Sequence, residues 1–469
     1  MKCINSIHQI VQKLLQNICE NAFSGDIFDI DSLAAETLEN CKEASRELIQ
    51  VIIEELNTEM REDKEERKAL GLVMKEKNRK RELLTPLGTL KWERDYYFDR
   101  KDGKYVAPLD EILGVRNRER IGDNICADLV NHAAKTSYAR SAEIVTDGAV
   151  SRQTVRNEIL KLEVPENKPK CEGKEVKEVH IYADEDHVHM QKPGKVRGKS
   201  NNIVPLVTVT EGSISVGTRR NKTVNAMHFV DENFDTKELW KSVEGYIAKA
   251  YDSEKLETIC LHSDGGSWIK NGLENFTQTK YVMDGYHYKK ALKNFARKFP
   301  KRNVTIVLRS AIARDDFVGA TQFLDELKAD GVVEEMQAVE DFEKYLIGNW
   351  SKIREREIGG HPGSCTEGQV SHVLAERFSR NPLGWSKAGL GKLSKIRVYI
   401  LNGEDIKPRD FKIKEKEEKY GEYGERMINN MAGRQLDWSI FEKERNHFDI
   451  SSATQRLLRG YGELRNTIC

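Results

Sequence analysis

The sequence predicts an α/β protein in which a mixed sheet follows a mostly helical region, and three observations carry that prediction. Five runs, "EVHIYADEDHVHM", "NNIVPLVTVTEG", "KTVNAMHFV", "LETICLHSD" and "KYVMD", have the apolar and β-branched patterning of strands. A helix-patterned segment, "TKELWKSVEGYIAKAY", separates the third run from the fourth, and such a connection implies a mixed sheet. Residues 303–358 are strongly helical in pattern, and "GGHPGS" at 359–364 breaks that run.

In chain order, residues 1–84 form the first segment. Ile10, Val11, Leu14 and Leu15, and again Leu48, Ile49, Ile52 and Ile53, recur at helical spacing. The stretch "REDKEERKALGLVMKEKNRKRELL" is dense in charges of both signs, which reads as the solvated face of a continuing helix, with a phosphate-contacting arm as the other reading. Residues 85–166 begin with aromatic and Thr-containing runs around "RKDGK", a hairpin signal. Within "SYARSAEIVTDGAVSRQTVRNEILKL" a Gly-containing turn joins two helices, the second opened by Ser151 as N-cap with Val150 and Val155 placed as a hydrophobic staple. Arg152, Gln153, Arg156 and Asn157 then share an exposed face. They are the residue types that read base edges and phosphates from a major-groove helix, although an ordinary helical hairpin has the same outline. After the polar linker "NKPKCEGK", residues 167–302 hold the first part of the sheet domain. Residues 303–358 form a helical insertion, and residues 359–469 complete the domain and extend beyond it.

A length of 469 residues suggests about three domains. The 76 basic and 76 acidic residues cancel, so whole-protein charge points to no polyanionic partner and only local patches can. The first residues space their apolar side chains helically and interrupt them with Gln, Lys and Asn, unlike a secretory leader, and no run is long enough to span a membrane. The eight cysteines, without a CxxC pair, fit reduced thiols. A cytoplasmic protein is expected.

Three carboxylates stand out. Asp184 ends an alternating apolar run, with Asp186 on the same face and Glu185 between them. Asp264 follows another apolar run in "LHSDGGSWIK", where Gly265 and Gly266 leave room for a close approach. Thr366 and Gln369 have capping-box spacing, so Glu367 opens a helix. Val370, Leu374 and Phe378 follow it at helical spacing, which aims Glu367 toward the core. Each feature alone is an ordinary turn or cap. Together they have one physical explanation if they converge on divalent cations, because hard oxygen ligands suit Mg2+ or Mn2+ and two such ions activate a nucleophile on a phosphodiester.

The set "YADEDHVHMQ", "HSDGGSWIKNG", "MDGYHYKKAL" and "GSCTEGQVSHVLAERFSRNPLGWS" resembles the D-D-E transposases of the Mutator-like superfamily, and among them the ISLre-type insertion-sequence transposases, over roughly residues 85–400. The resemblance implies an RNase H-like catalytic core with an all-helical insertion between the second and third acids. Asp264 lies 80 residues beyond Asp184 and Glu367 a further 103 beyond Asp264, which leaves room for that insertion. It further implies that Asp184, Asp264 and Glu367 hold two Mg2+ ions, with Mn2+ as substitute. His287 of the Asp284-x-x-His287 pair would order the site or contact DNA beside the scissile phosphate. The implied partners are the element's terminal inverted repeats and target DNA, with at least a homodimer assembled on DNA at the nucleoid. A structure-selective nuclease on the same fold and an inert, domesticated DNA-binding regulator are the rival readings.

Around these acids, "QKPGKVRGK", "GTRRNK", "YKKALKNFARKFPKR" and "KAGLGKLSKIR" could line a phosphate path, and Trp268, Tyr286, Tyr288 and Trp385 could stack on displaced bases. His187 and His189 could ligate a transition metal, but exposed strand positions explain them more simply, and zinc is not expected of Cys260 with His262 or His361 with Cys365, which lack finger-like spacing.

Overall fold

A computed structural model describes residues 2–23, 29–191, 201–217, 220–272, 278–330, 333–361, 365–380, 384–411 and 419–433. The chain divides into two compact units, residues 1–127 with 407–469 and residues 128–406.

The first unit opens with helices α1 (Lys2–Phe23) and α2 (Ile30–Glu62), followed by the short α3 (Lys64–Leu70). Asp63 caps α3 by accepting from the Glu66 amide at 3.0 Å, and Gly71, left-handed at φ 80°, ends it. Beyond Gly71 the chain does not continue as helix. Residues Leu72–Thr85 form strand β1, paired antiparallel with β2 (Gly88–Asp99), and β2 pairs in turn with β3 (Lys104–Val106). The expected hairpin around "RKDGK" is therefore present between β2 and β3. A second hairpin takes in "KEKNRKRELL", which the charge pattern assigns to helix, and crosses the expected boundary at residue 84. Leu72, Leu90, Trp92 and Tyr97 pack with Ile53, Leu56 and Met60 of α2, so tertiary packing outweighs the helix-forming charges. Arg61 makes a bidentate pair with buried Asp95 at 2.7 and 2.9 Å, joining helix to sheet. Helix α4 (Pro108–Ile112) follows, and α5 (Asp123–Ala133) crosses the division between the units in sequence.

The second unit begins with α6 (Tyr138–Thr146) and α7 (Arg152–Lys161), the expected helix, turn and helix. Asp147 and Gly148 take positive φ in the turn, and Ser151 caps α7 through the Thr154 amide at 3.2 Å. The sheet follows with β4 (Glu178–His189) and β5 (Asn201–Thr210), the small hairpin β6 (Ser213–Gly217) and β7 (Arg220–Thr223), and β8 (Met227–Phe229). Helix α8 (Thr236–Ala250) crosses to β9 (Thr258–Ser263); α9 (Ser267–Gly272) leads to β10 (Thr279–Met283). The described residues form a five-stranded sheet in the order β10-β9-β4-β5-β8, with β4, β9 and β10 parallel and β5 antiparallel to both of its neighbours.

The two faces of this sheet differ. Val179, Ile181, Ala183, Val207, Val209, Ile259 and Leu261 point to one side and pack under Leu239, Trp240, Val243 and Ile247 of α8. The alternate positions carry His180, Tyr182, Thr208, Cys260 and His262, all buried. Helices α10 (Gly285–Ala296), α11 (Val304–Ala313), α12 (Phe317–Asp330) and α13 (Val333–Ile358) form their own core around Leu292, Phe295, Leu308, Leu324 and Phe342. Helices α11, α12 and α13 occupy 304–358, where a helical stretch is expected, but α10 joins their core from within the segment 167–302. The chain then passes through α14 (Thr366–Val370), a π turn at Ser371–Ala375, α15 (Glu376–Phe378) and α16 (Lys387–Leu401). It returns to the first unit with α17 (Gly421–Gly433), whose Tyr423 and Met427 join that unit's core.

Candidate active site

Strands β4 and β9 set the site through their register. His180 pairs with Cys260 and Tyr182 with His262, so continuing the same offset brings Asp184 beside Asp264, with adjacent strands about 4.8 Å apart. Asp264 follows the last residue of β9, but Asp184 lies in the middle of β4 and not at the strand end the sequence predicts, because pairing with β5 carries β4 on to His189. Asp284 follows β10 in the same way, because Met283 pairs with Ser263 and the Asp284 amide donates to the Ser263 carbonyl at 2.9 Å. Asp264 is exposed on its turn and accepts from the Gly266 amide at 3.0 Å. The turn needs Gly265, at φ 97°, whereas Gly266 has no positive φ and a side chain there would come within 3.4 Å of the Trp268 ring.

Burial pushes the Asp184 carboxyl up to about 7. The nearby Asp264 and Glu367 charges push the same way, and the Glu185 amide at 2.8 Å and His287 oppose them. Asp264 and Glu367 thus both lie within electrostatic reach of Asp184. Asp186 does not belong to the set: it is buried further along β4 and bonds to Ser379. This geometry selects Asp184 as the clustered acid of "ADEDH".

His287 is held from behind. Asp284, fully buried, caps α10 by accepting from the amides of Tyr286 at 2.9 Å and His287 at 3.0 Å, and its Oδ2 lies 3.1 Å from His287 Nδ1. That bond raises the imidazole above its ordinary value despite partial burial. The other ring nitrogen, Nε2, is 3.6 Å from Glu367 Oε1. Asp284 is a residue that motif spacing alone left without a role, and its N-cap position is the signal that identifies it.

Glu367 departs from expectation in two ways. The helix opens one residue earlier, with Cys365 as N-cap and its carbonyl accepting from the Gln369 amide at 2.8 Å, and Thr366 is buried inside the first turn. The Glu367 side chain is 52% exposed and meets His287 instead of facing the core. Val370, Leu374 and Phe378 are buried as expected, but the π turn between Glu367 and Phe378 shifts the helical phase, so the four do not share one stripe. Buried Arg397 of α16 holds that turn by donating to the carbonyls of Val373 at 2.6 Å and His372 at 2.7 Å.

The expected aromatic contacts change roles. Tyr288 and Trp385 are buried and unavailable for base stacking, while Tyr286 is exposed. Trp268 is half-buried against Trp240, and its indole N–H donates to Glu185 Oε2 at 2.6 Å, beside Asp184. On α7, Arg152, Gln153 and Asn157 are exposed and Arg156 is half-buried, with Gln153 donating to Asn157 at 2.9 Å. Of the basic stretches, "QKPGKVRGK" beyond Gln191 and Arg219 of "GTRRNK" lie outside the described residues, while Arg220 opens β7. In the first unit, strand β1 contributes a basic surface that a helical reading of the same residues hides. Arg79, Lys80 and Arg81 line a groove of about 2160 Å³ of mixed charge, in which Arg81 and Arg94 pair with Asp110 and Arg116 with Asp123, and Arg79 lies over the Tyr96 ring at 4.7 Å.

Three carboxylates make a hard, all-oxygen donor set, and a cation among them would offset the burial and the repulsion that raise Asp184; the residues therefore fit divalent ions. A pH effect follows. Asp184 ionises near 3.8 when unperturbed and near 7 in the fold, so its stabilising contribution is complete below about 4 and is lost as pH rises through about 7. In magnesium-free buffer the melting temperature of Asp184→Asn should therefore gain on wild type between those pH values, and thermal melts of the two side by side measure the widening difference.

No described helix is long and apolar enough to cross a membrane. Residues 24–417 match the profile of an uncharacterised protein family, UPF0236. The chain is 34% identical over 397 residues to a UPF0236 protein of Caldanaerobacter subterraneus subsp. tengcongensis, covering 84% of this chain and 82% of that one. A second UPF0236 protein of the same organism is 36% identical over 383 residues, covering 81% and 80%. The first of these bears a name that joins eleven loci of one genome, and another relative's name joins four, so the family is multicopy there. The chain belongs to the UPF0236 family.

Proposed function

We propose that the chain is a D-D-E DNA transposase that cuts a phosphodiester at the ends of a mobile element and joins the freed 3′-hydroxyl to target DNA. The observation that carries this reading is the convergence of Asp184 from the middle of β4, Asp264 from the end of the neighbouring β9 and Glu367 from a helix start, with His287 beside the third. The sheet supports it as an RNase H-like core: three antiparallel strands, β4, β5 and β8, with two further strands, β9 and β10, added parallel on the other side of β4. The multicopy relatives support a mobile element.

The three carboxylates would hold two Mg2+ ions, or Mn2+ in their place, which supply Lewis-acid activation of the attacking oxygen and stabilise the leaving one. The protein's own part is positioning. Strand β4 and the end of β9 fix Asp184 and Asp264, the Gly266 amide orients the latter, and Asp284 favours the protonated form of the His287 imidazole, which could then meet a phosphate oxygen. Helix α7 would read the terminal inverted repeats in a major groove, the Arg79 and Lys80 edge of the first unit's groove would take a phosphate backbone, and joining two ends requires at least a homodimer on the DNA. The expected location is the cytoplasm, at the nucleoid.

The test is incubation of the full-length protein with Mg2+ and DNA carrying the sequences that flank its gene, with cut and bound species resolved. Metal-dependent cuts at the element boundaries support the reading, and binding without any cut would favour a regulator. Replacing Arg152 and Arg156 together by Ala should weaken end binding and lower the slope of log affinity against log salt by roughly 1 for each phosphate no longer neutralised. A salt series by fluorescence anisotropy measures it.

A further inference from the structure

We propose that Glu178, His180, Cys260 and His361 form a structural zinc site, distinct from the three carboxylates, that ties the end of the helical insertion to the central sheet. One ligand atom from each residue lies within 4.8 Å of those of the other three. The cluster is assembled by register: His180 of β4 pairs with Cys260 of β9, Glu178 sits two residues earlier on the same face, and His361 follows α13. Glu178 Oε1 is the common point, 2.8 Å from Cys260 Sγ, 3.7 Å from His180 Nε2 and 3.9 Å from His361 Nδ1.

The orientation of the two imidazoles supports a metal held between these four ligand atoms. Each turns one nitrogen inward and has the other held from outside, His361 Nε2 by Glu355 Oε1 at 2.8 Å and His180 Nδ1 by His262 Nε2 at 3.1 Å. Outer partners of this kind fix the rings of metal-bound histidines. Cys260 and His262 are fully buried, His180 nearly so, and the His361 side chain is 6% exposed; Glu178 closes the open side. Next to the cluster, the buried Nδ1 of His262 has no hydrogen-bond partner, and its ring stacks on Tyr182 at 4.5 Å, which separates this end of the sheet face from Asp184.

One thiolate, two imidazoles and one carboxylate form a soft, four-ligand set that suits tetrahedral Zn2+ and not Mg2+. Binding would release the Cys260 thiol proton to solvent and involves no redox change. Four protein ligands leave no open position, so the role is structural. His361 precedes Glu367 by six residues, and the metal would fix the start of the segment that carries the third acid.

The test uses the full-length protein. Zinc is measured by mass spectrometry after purification and dialysis against ZnCl2, and CoCl2 is then substituted and the thiolate-to-cobalt absorption recorded. A single zinc per chain and the charge-transfer band are expected, both lost in Cys260→Ser and both retained in Asp264→Asn. Glu355→Gln should weaken zinc binding by roughly 10- to 100-fold, the usual effect of removing an outer partner. If Cys260→Ser does not fold, His361→Gln, checked by circular dichroism, gives the same readout. Folded wild type that takes up no zinc, or a variant of either ligand that keeps wild-type zinc affinity, overturns the proposal.

Discussion

Asp264→Asn should abolish metal-dependent cleavage and joining while leaving the fold and the binding of DNA ends intact, with a rate loss of at least about 10³-fold, the upper range for removing one preorganised electrostatic group. The substitution is nearly isosteric, and the amide oxygen can still accept from Gly266, so the turn after β9 survives. What is lost is the negative charge offered to a cation. Asp186→Asn is the control on the neighbouring acid, since Asp186 is engaged with Ser379 away from the cluster and should cost little activity. Single-turnover cleavage of labelled end DNA by the two variants measures the contrast.

Trp240→Ala should produce the largest loss of stability, about 3–5 kcal/mol for a large side chain removed from a packed core. Trp240 is 3% exposed and sits where α8 covers the apolar face of the sheet. Its indole N–H donates to the Trp268 carbonyl at 3.2 Å, and a Cβ at Gly272 would fall 2.1 Å from its ring, which explains the glycine at that position. The damage should reach the site as well, because Trp268 rests on Trp240 and holds Glu185 beside Asp184. Urea unfolding followed by tryptophan fluorescence gives the stability change, and a cleavage assay below the unfolding transition gives the activity change.

The parts of the fold legible in the sequence are those whose patterning and packing agree. Strands β4 and β9 and helix α8 declare themselves because their apolar positions all meet in one core. Strand β1 does not, because its middle is a run of exposed charges that fits a solvated helix equally well, and only pairing with β2 decides the matter. In the site, Asp264 is readable as an acid at a strand end, whereas Asp184 closes the apolar run but not the strand, since pairing with β5 carries β4 on to His189; the shared offset that places the two side by side follows from register. The outward turn of Glu367 is not readable, since it depends on a π turn and on Arg397 supporting it. Nor is the Cys260 and His361 cluster, whose members stand on opposite sides of the helical insertion in sequence and meet only through the sheet.

The most direct measurement of the central claim is the joining of a precut end. Element-end DNA with a free 3′-hydroxyl is mixed with target plasmid, Mg2+ and the full-length protein, in parallel with the same DNA ending in a 3′-deoxy sugar and with the Asp264→Asn variant. The account predicts covalent end-to-target products only from the 3′-hydroxyl substrate and the wild-type protein. Joining by Asp264→Asn at the wild-type rate, or cutting by wild type with no joined product from the 3′-hydroxyl end, would contradict it.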